Sequence, residues 1–295
     1  MSLIASCSDA DKDTARLKGS FKHLQQAKIF VYSDAQAYNR FDTITVKGGD
    51  FDYSTPLSEP TVLTILYPNF SETYFVAEPG VVLKMKADAA NLQTAQITGS
   101  AANDSLSAFR ERYSSERPSV QQKAAEDYIR KHPGDMAAVA LFVKYFERGE
   151  ILRAEPAATL LRMLVKAHPQ HKGLFAIKQR MEQMLPTAIG SKAPAEMTEG
   201  GVPVAYVFTL SSQYKSNEMM RQVNATVEEL KERIERPTTL RVVEVAADNR
   251  DLDSLCRAYG LHYLPSNILI DAQGTIVSRD VNNDDISKAL RRLVP

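Results

Sequence analysis

The sequence predicts a C-terminal α/β domain preceded by a small antiparallel all-β domain and a helical connector. Three observations predict it. Short alternating runs separated by turn residues fill residues 16–100, and helical periodicity takes over across 103–185. After Pro186, apolar runs of strand length alternate with amphipathic stretches. The boundaries read as a polar tail at 1–13, the β domain at 14–112, the connector at 113–185 and the α/β domain at 186–295.

In the first region, Lys28 to Tyr32 is a β-branched and aromatic strand. Thr43 to Val46 alternates, Gly48-Gly49-Asp50 turns the chain, and Phe51 to Tyr53 alternates again, which describes a hairpin. Thr61 to Tyr67 and Thr73 to Val76 are further strands, and Pro79-Gly80 leads into a last one from Val81 to Lys86. Several short strands with turns between them indicate a small sandwich or barrel.

A set of short pieces in this region adds a resemblance. Leu17-Lys18-Gly19-Ser20-Phe21 opens it, and Phe41-Asp42-Thr43 leads into Val46 to Phe51. Glu78-Pro79-Gly80 follows, and Ile97-Thr98-Gly99-Ser100 with Asn103 closes it. In order and spacing they resemble a β-rich domain of unknown function that precedes thiol-disulfide oxidoreductase domains in Gram-negative envelope proteins. That resemblance spans 14–112 and implies an architecture and its company, not a reaction.

The connector carries Met136, Val139, Val143 and Phe146 on one helical face. His132-Pro133-Gly134 and His168-Pro169 break helices, and Pro156 suits a first turn. His168 and His171 read as exposed loop histidines with no ligand set around them.

In the third region Val204 to Leu210 and Leu240 to Ala246 have the length and apolar content of buried strands. Between them Met220, Val223, Val227, Leu230 and Ile234 form one stripe, with Pro237 beyond its end. Asp251 to Tyr259 is a helix, Ser266 to Asp271 a strand, and Thr275 to Ser278 its hairpin partner. Asn282 to Asp285 suit the start of a last helix that turns Ile286, Leu290 and Leu293 inward. This order, with Ile189 to Pro194 leading in and Tyr263-Leu264-Pro265-Ser266 before a core strand, resembles the thioredoxin-like fold of TlpA and redoxin type.

The resemblance implies a Cys-x-x-Cys where the first strand meets its helix. There a thiolate is stabilised by the helix N-terminus and a second thiol resolves the mixed disulfide. Register from Phe208 puts Gln213 and Ser216 at those positions, and no Cys lies between Cys7 and Cys256. Gln213 has no ionisable group, and Ser216 has no evident activating base. No dithiol catalysis is therefore expected, and no catalytic residue is assigned. Pro265 is expected to be cis by the same resemblance, in a segment that pairs with extended peptides. The implied binding groove runs between Ser212, Gln213, Tyr214, Lys215 and Ser216 on one side and Leu264, Pro265 and Ser266 on the other. Cys256, on an amphipathic helix, reads as a small buried apolar residue.

Leu3-Ile4-Ala5-Ser6-Cys7 resembles the lipobox of bacterial lipoproteins, and Ser8 to Asp13 resemble their polar tethers. The resemblance makes Cys7 a lipid-attachment site. A signal peptide has an apolar stretch of about 7–15 residues before such a site, so either the coding start lies upstream of Met1 or the resemblance is accidental and Cys7 is a free thiol on a cytosolic tail. No run of about 18 apolar residues is present to span a bilayer.

Lys+Arg and Asp+Glu balance at 36 each, which gives no field for nucleic acid. No metal or cofactor motif occurs. The expectation is a non-catalytic envelope lipoprotein, lipid-anchored on the periplasmic face or the cell surface, that binds a peptide or partner protein through this groove. The alternative is a different chemistry, or an anion site at the helix N-terminus with Gln213, Lys215 and Ser216 as contacts. A third option makes the β domain the working part.

Overall fold

The computed structural model describes residues 12–33, 40–149, 153–233, 240–248, 250–261 and 263–294. Cys7, Ile234 and Pro237 lie outside the described residues. The chain divides into two compact units, Met1–Gly149 with Thr159–Lys178, and Glu150–Ala158 with Gln179–Pro295.

The first unit holds β1 (Thr14–Lys22), β2 (Gln26–Tyr32), β3 (Phe41–Lys47), β4 (Asp50–Pro56), β5 (Thr61–Leu66), β6 (Glu72–Ala77), β7 (Val82–Asp88) and β8 (Asn91–Thr98). They form one sheet in the order β6-β5-β2-β3-β4-β1-β7-β8. Period-two alternation sends Ile44 and Val46, then Phe51 and Tyr53, into a core with Leu17, Ile29 and Leu83. Gly19 faces Phe51 in the β1–β4 register, and a Cβ there would lie 2.0 Å from the Phe51 ring. Two features depart from the sequence reading. β1 runs parallel to β7, from Arg16 opposite Val82 to Lys22 opposite Asp88, so the sheet is mixed rather than antiparallel throughout. β1 and β8 are additional strands, and the half-polar run of β8 hides its alternation.

Helices α1 (Ala101–Tyr113), α2 (Pro118–Lys131) and α3 (Met136–Phe142) follow, and α3 continues in a π turn over Val143–Glu147. The expected domain end at 112 falls inside α1, and α1 to α3 belong to the same compact unit as the sheet. The polar face of α1 explains why. Asn103, Ser107 and Arg110 recur at helical spacing and address both edges of the sheet. Asn103 Oδ1 accepts from Val76 N at 3.1 Å and its Nδ2 donates to Val76 O at 2.7 Å, on β6. Ser107 Oγ accepts from Ile97 N at 2.8 Å and donates to Ile97 O at 2.7 Å, on β8. Arg110 joins the edges, donating from Nε to Ala95 O at 2.8 Å and from Nη1 to Tyr74 O at 3.0 Å. Side chains thus satisfy edge groups that would otherwise be open to another strand.

Two further helices are α4 (Ala154–Ala167) and α5 (Lys172–Met184). The expectation of exposed histidines is corrected here. His171 Nε2 donates to Pro60 O at 2.7 Å while its Nδ1 accepts from Leu174 N at 3.0 Å. His168 Nε2 lies 3.0 Å from Pro133 O. Beside His171, the Glu59 carboxylate accepts from the N–H groups of Lys172 and Gly173 at 3.1 and 2.9 Å, capping α5.

The second unit contains β9 (Val204–Thr209), α6 (Tyr214–Arg233), β10 (Arg241–Ala246), α7 (Leu252–Tyr259), β11 (Ser266–Ile270), β12 (Ile276–Arg279) and α8 (Asn283–Leu293). The strand order is β10-β9-β11-β12, with β10 parallel to β9 and β11 antiparallel to both β9 and β12. β9 is buried on both faces. Val204 and Phe208 pack with Val245 and Leu255, whereas Ala205 and Val207 pack with Val223, Ile286 and Leu290. Asn282 caps α8 as expected, accepting from Asp285 N at 2.9 Å. No helix among the described residues is long and apolar enough to cross a membrane.

Candidate functional site

The site is built where β9 ends and α6 begins. The turn is closed by Gln213 N donating to Leu210 O at 2.9 Å. Gln213 O then accepts from Ser216 N at 3.1 Å, which starts the helix at the residue that the register assigns to the nucleophile. Ser216 lies one turn on and is 1% exposed. Its Oγ accepts from Leu210 N at 3.1 Å and donates to Gln213 Oε1 at 3.4 Å, so the hydroxyl is occupied in fastening the turn. Ser212, Tyr214 and Lys215 are exposed. Ser211 donates N–H to both Asp248 oxygens, at 3.0 and 3.2 Å, and its hydroxyl donates to the same carboxylate. These bonds, the hydroxyl's first, hold the Asp248 carboxyl below the usual range.

The facing segment comes from the start of β11. Leu264–Pro265 is a cis peptide bond. Ser266 pairs with Phe208, so Pro265 sits just past the paired residues, at the end of β9 that leads into the turn. Sheet register thereby brings the expected 212–216 and 264–266 segments to one end of the sheet. Leu264 is half-buried, and Pro265 and Ser266 are buried.

Behind the proline lies a polar network that the sequence did not disclose. Ser266 Oγ donates to Asp280, whose other oxygen accepts from Arg279 Nε at 2.7 Å. Arg279 is buried and also donates to Thr187 O at 2.7 Å, Tyr259 O at 3.1 Å and Gly260 O at 2.6 Å. Nothing in strand alternation marks Arg279 as an inward residue. Tyr263, which the sequence marks only as the lead into the core strand, joins this network: its hydroxyl donates to Asp280 O at 3.1 Å, and the residue is 54% exposed. With Tyr214, 71% exposed, each side of the candidate groove carries an accessible aromatic ring.

Cys256 belongs to α7, apart from this turn, and packs against the core beside Leu255. Burial pushes its thiol up, Asp253 adds to the effect and Arg257 opposes it. Among the described residues no group of three or more His, Cys, Asp or Glu could hold a metal ion.

The topology and the cis-proline agree with the expected class. The second unit has a thioredoxin-like fold. Residues 15–106, about a third of the chain, match the model of a domain of unknown function, DUF4369. No curated protein matches the chain. Among solved structures it is similar to a thioredoxin-like protein from Bacteroides caccae, at 15% identity and TM-score 0.42 over 58% of this chain and 77% of that one. It is also similar to the thioredoxin domain of a thiol-disulfide oxidoreductase from Bacteroides vulgatus, at 16% identity and TM-score 0.28 over 32% of this chain and 81% of that one. A thioredoxin-like protein from Parabacteroides distasonis gives 16% identity and TM-score 0.28, covering 36% and 96%. These likenesses are partial, and the fold assignment stands on the strand order and the cis-proline of the chain itself.

Proposed function

We propose that the thioredoxin-like unit is a non-catalytic binding module that takes an extended peptide or a segment of a partner protein. The accessible part of the groove is Ser212, Tyr214 and Lys215 on one side and Tyr263 on the other, with half-buried Gln213 and Leu264 between them and Ser216, Pro265 and Ser266 buried beneath. One observation carries the reading. The position of the resolving thiol holds a buried serine tied to Leu210 and Gln213, while exposed Tyr214 and Tyr263 flank the turn and the cis-proline. Tyrosines with an apolar body and a polar tip are enriched at recognition surfaces. The anion-site alternative loses one of its three contacts, because Ser216 is buried and its Oγ is engaged.

The test is fluorescence-anisotropy binding of a randomised extended-peptide library to the full chain. Selected peptides are expected to lose about tenfold or more in affinity on Tyr214→Ala/Tyr263→Ala, in line with loss of interface aromatics. Equal binding by the double variant would exclude the groove. The cellular setting proposed is the bacterial envelope, with Cys7 as the lipid attachment. It is supported by the Leu3-Ile4-Ala5-Ser6-Cys7 pattern and the polar residues after it. Metabolic labelling with an alkynyl fatty acid checks it, since Cys7→Ala should abolish the label.

A further inference from the structure

We propose that the first unit carries a binding cavity for a small organic oxyanion with an apolar body, the acid group held at Lys144 and the body against Phe109 and Leu141. The cavity measures about 570 Å3 and lies among β6, α1, the start of α2, and α3 with its π turn. That volume is within the roughly 300–1,000 Å3 of small-molecule sites.

Three cations, Arg110, Lys144 and Arg148, line the cavity against two acids, Glu72 and Glu116. Glu72 is already engaged: it accepts from Tyr74 Oη at 2.8 Å and from Tyr32, and lies 3.8 Å from Arg148. Arg110 is buried and donates to Ala95 O, Tyr74 O and Ser107 Oγ, with no carboxylate partner among the described residues. Lys144 makes no hydrogen bond or ion pair with any described residue, and its Nζ lies 5.0 Å from the Tyr145 ring centroid. Burial, with Arg110 adding, brings the Lys144 ammonium down to about 8, and Glu72 opposes this. A largely desolvated ammonium with no carboxylate among the described residues within ion-pair distance does not stabilise a fold. An oxyanion in the cavity supplies the missing charge.

Lys144 and Tyr145 belong to the π turn, marked by Arg148 N donating to Val143 O at 2.9 Å. This turn ends α3 and sets Lys144 and Tyr145 against the cavity. Leu106, Phe109 and Leu141 give the cavity its apolar wall. This inference does not rest on the groove of the second unit.

The experiment is thermal unfolding of the full chain with millimolar octanoate, octyl phosphate or octanol. Either anion should raise Tm while octanol does not, and the more effective anion identifies the acid group as carboxylate or phosphate. Lys144→Met should weaken the response at least tenfold in ligand concentration, and Tyr214→Ala should leave it unchanged. Amide chemical shifts of the natural chain locate the site without a variant, and the expected perturbations fall in 106–121 and 140–148. No response to either anion, an equal response to octanol, or perturbations confined elsewhere would overturn the proposal.

Discussion

Arg110 in the first unit and Arg279 in the second are both buried and both donate to backbone carbonyls, but among the described residues only Arg279 has a carboxylate against it, Asp280 at 2.7 Å. Arg279 therefore closes a balanced network behind the cis-proline and fixes the segment that faces the turn. Arg110 closes the two sheet edges with its donors and leaves its charge unanswered, and burial lowers its pKa to about 10. A compensated buried charge marks scaffold. An uncompensated one, next to a cavity with a second unanswered cation, marks room for a ligand.

The largest effect expected is from Arg279→Met, which takes the cation from the Asp280 carboxylate and leaves the carbonyls of Thr187, Tyr259 and Gly260 without this donor. Breaking a buried pair in this way costs about 3–5 kcal/mol, measurable by denaturant unfolding. Arg110→Met should cost less, about 1–3 kcal/mol, because it strands neutral carbonyls and removes an unpaired charge at the same time. A larger loss for Arg110→Met than for Arg279→Met would break the comparison.

Lys144→Met sharpens it with the opposite sign: at pH 7 the variant should be more stable by about 1 kcal/mol, the figure reduced for partial exposure. The folded-state pKa of Lys144 is lowered, to about 8 from the usual 10.5. The unfolded chain binds more protons between these values, so the penalty is full below pH 8 and fades as pH rises toward 10.5. The advantage of the variant should shrink across that window. The smallest effect is from Tyr214→Ala, which should leave stability within about 0.5 kcal/mol, as for exposed sites, while reducing peptide affinity.

Much of the second unit was legible in the sequence, because its elements are bounded by local chemistry. The apolar run at Val204, the stripe from Met220 to Leu230 and the Asn282 cap each read correctly from a few residues. The register of Gln213 and Ser216 comes from the resemblance to the thioredoxin-like motif, and α6 begins at that turn. The first unit was legible in its six middle strands, β2 to β7, but not in β1, β8 or its closure. Parallel pairing of β1 with β7 joins residues far apart in sequence, which alternation cannot report. The polar face of α1 reads as a solvated face, since periodicity sorts residues by polarity and cannot show that Asn103 and Ser107 address strand edges. Arg279 and Asp280 were invisible for the same reason.

The central claim is that the thioredoxin-like unit keeps the frame of a dithiol site without its chemistry. Insulin reduction in dithiothreitol tests it most directly, with the natural chain measured beside Gln213→Cys/Ser216→Cys. The natural chain should show no rate above buffer. The double variant should form a disulfide between the two positions and gain activity, with its first thiol at a helix N-terminus. Reduction by the natural chain, or failure of the two introduced thiols to pair, would contradict the account.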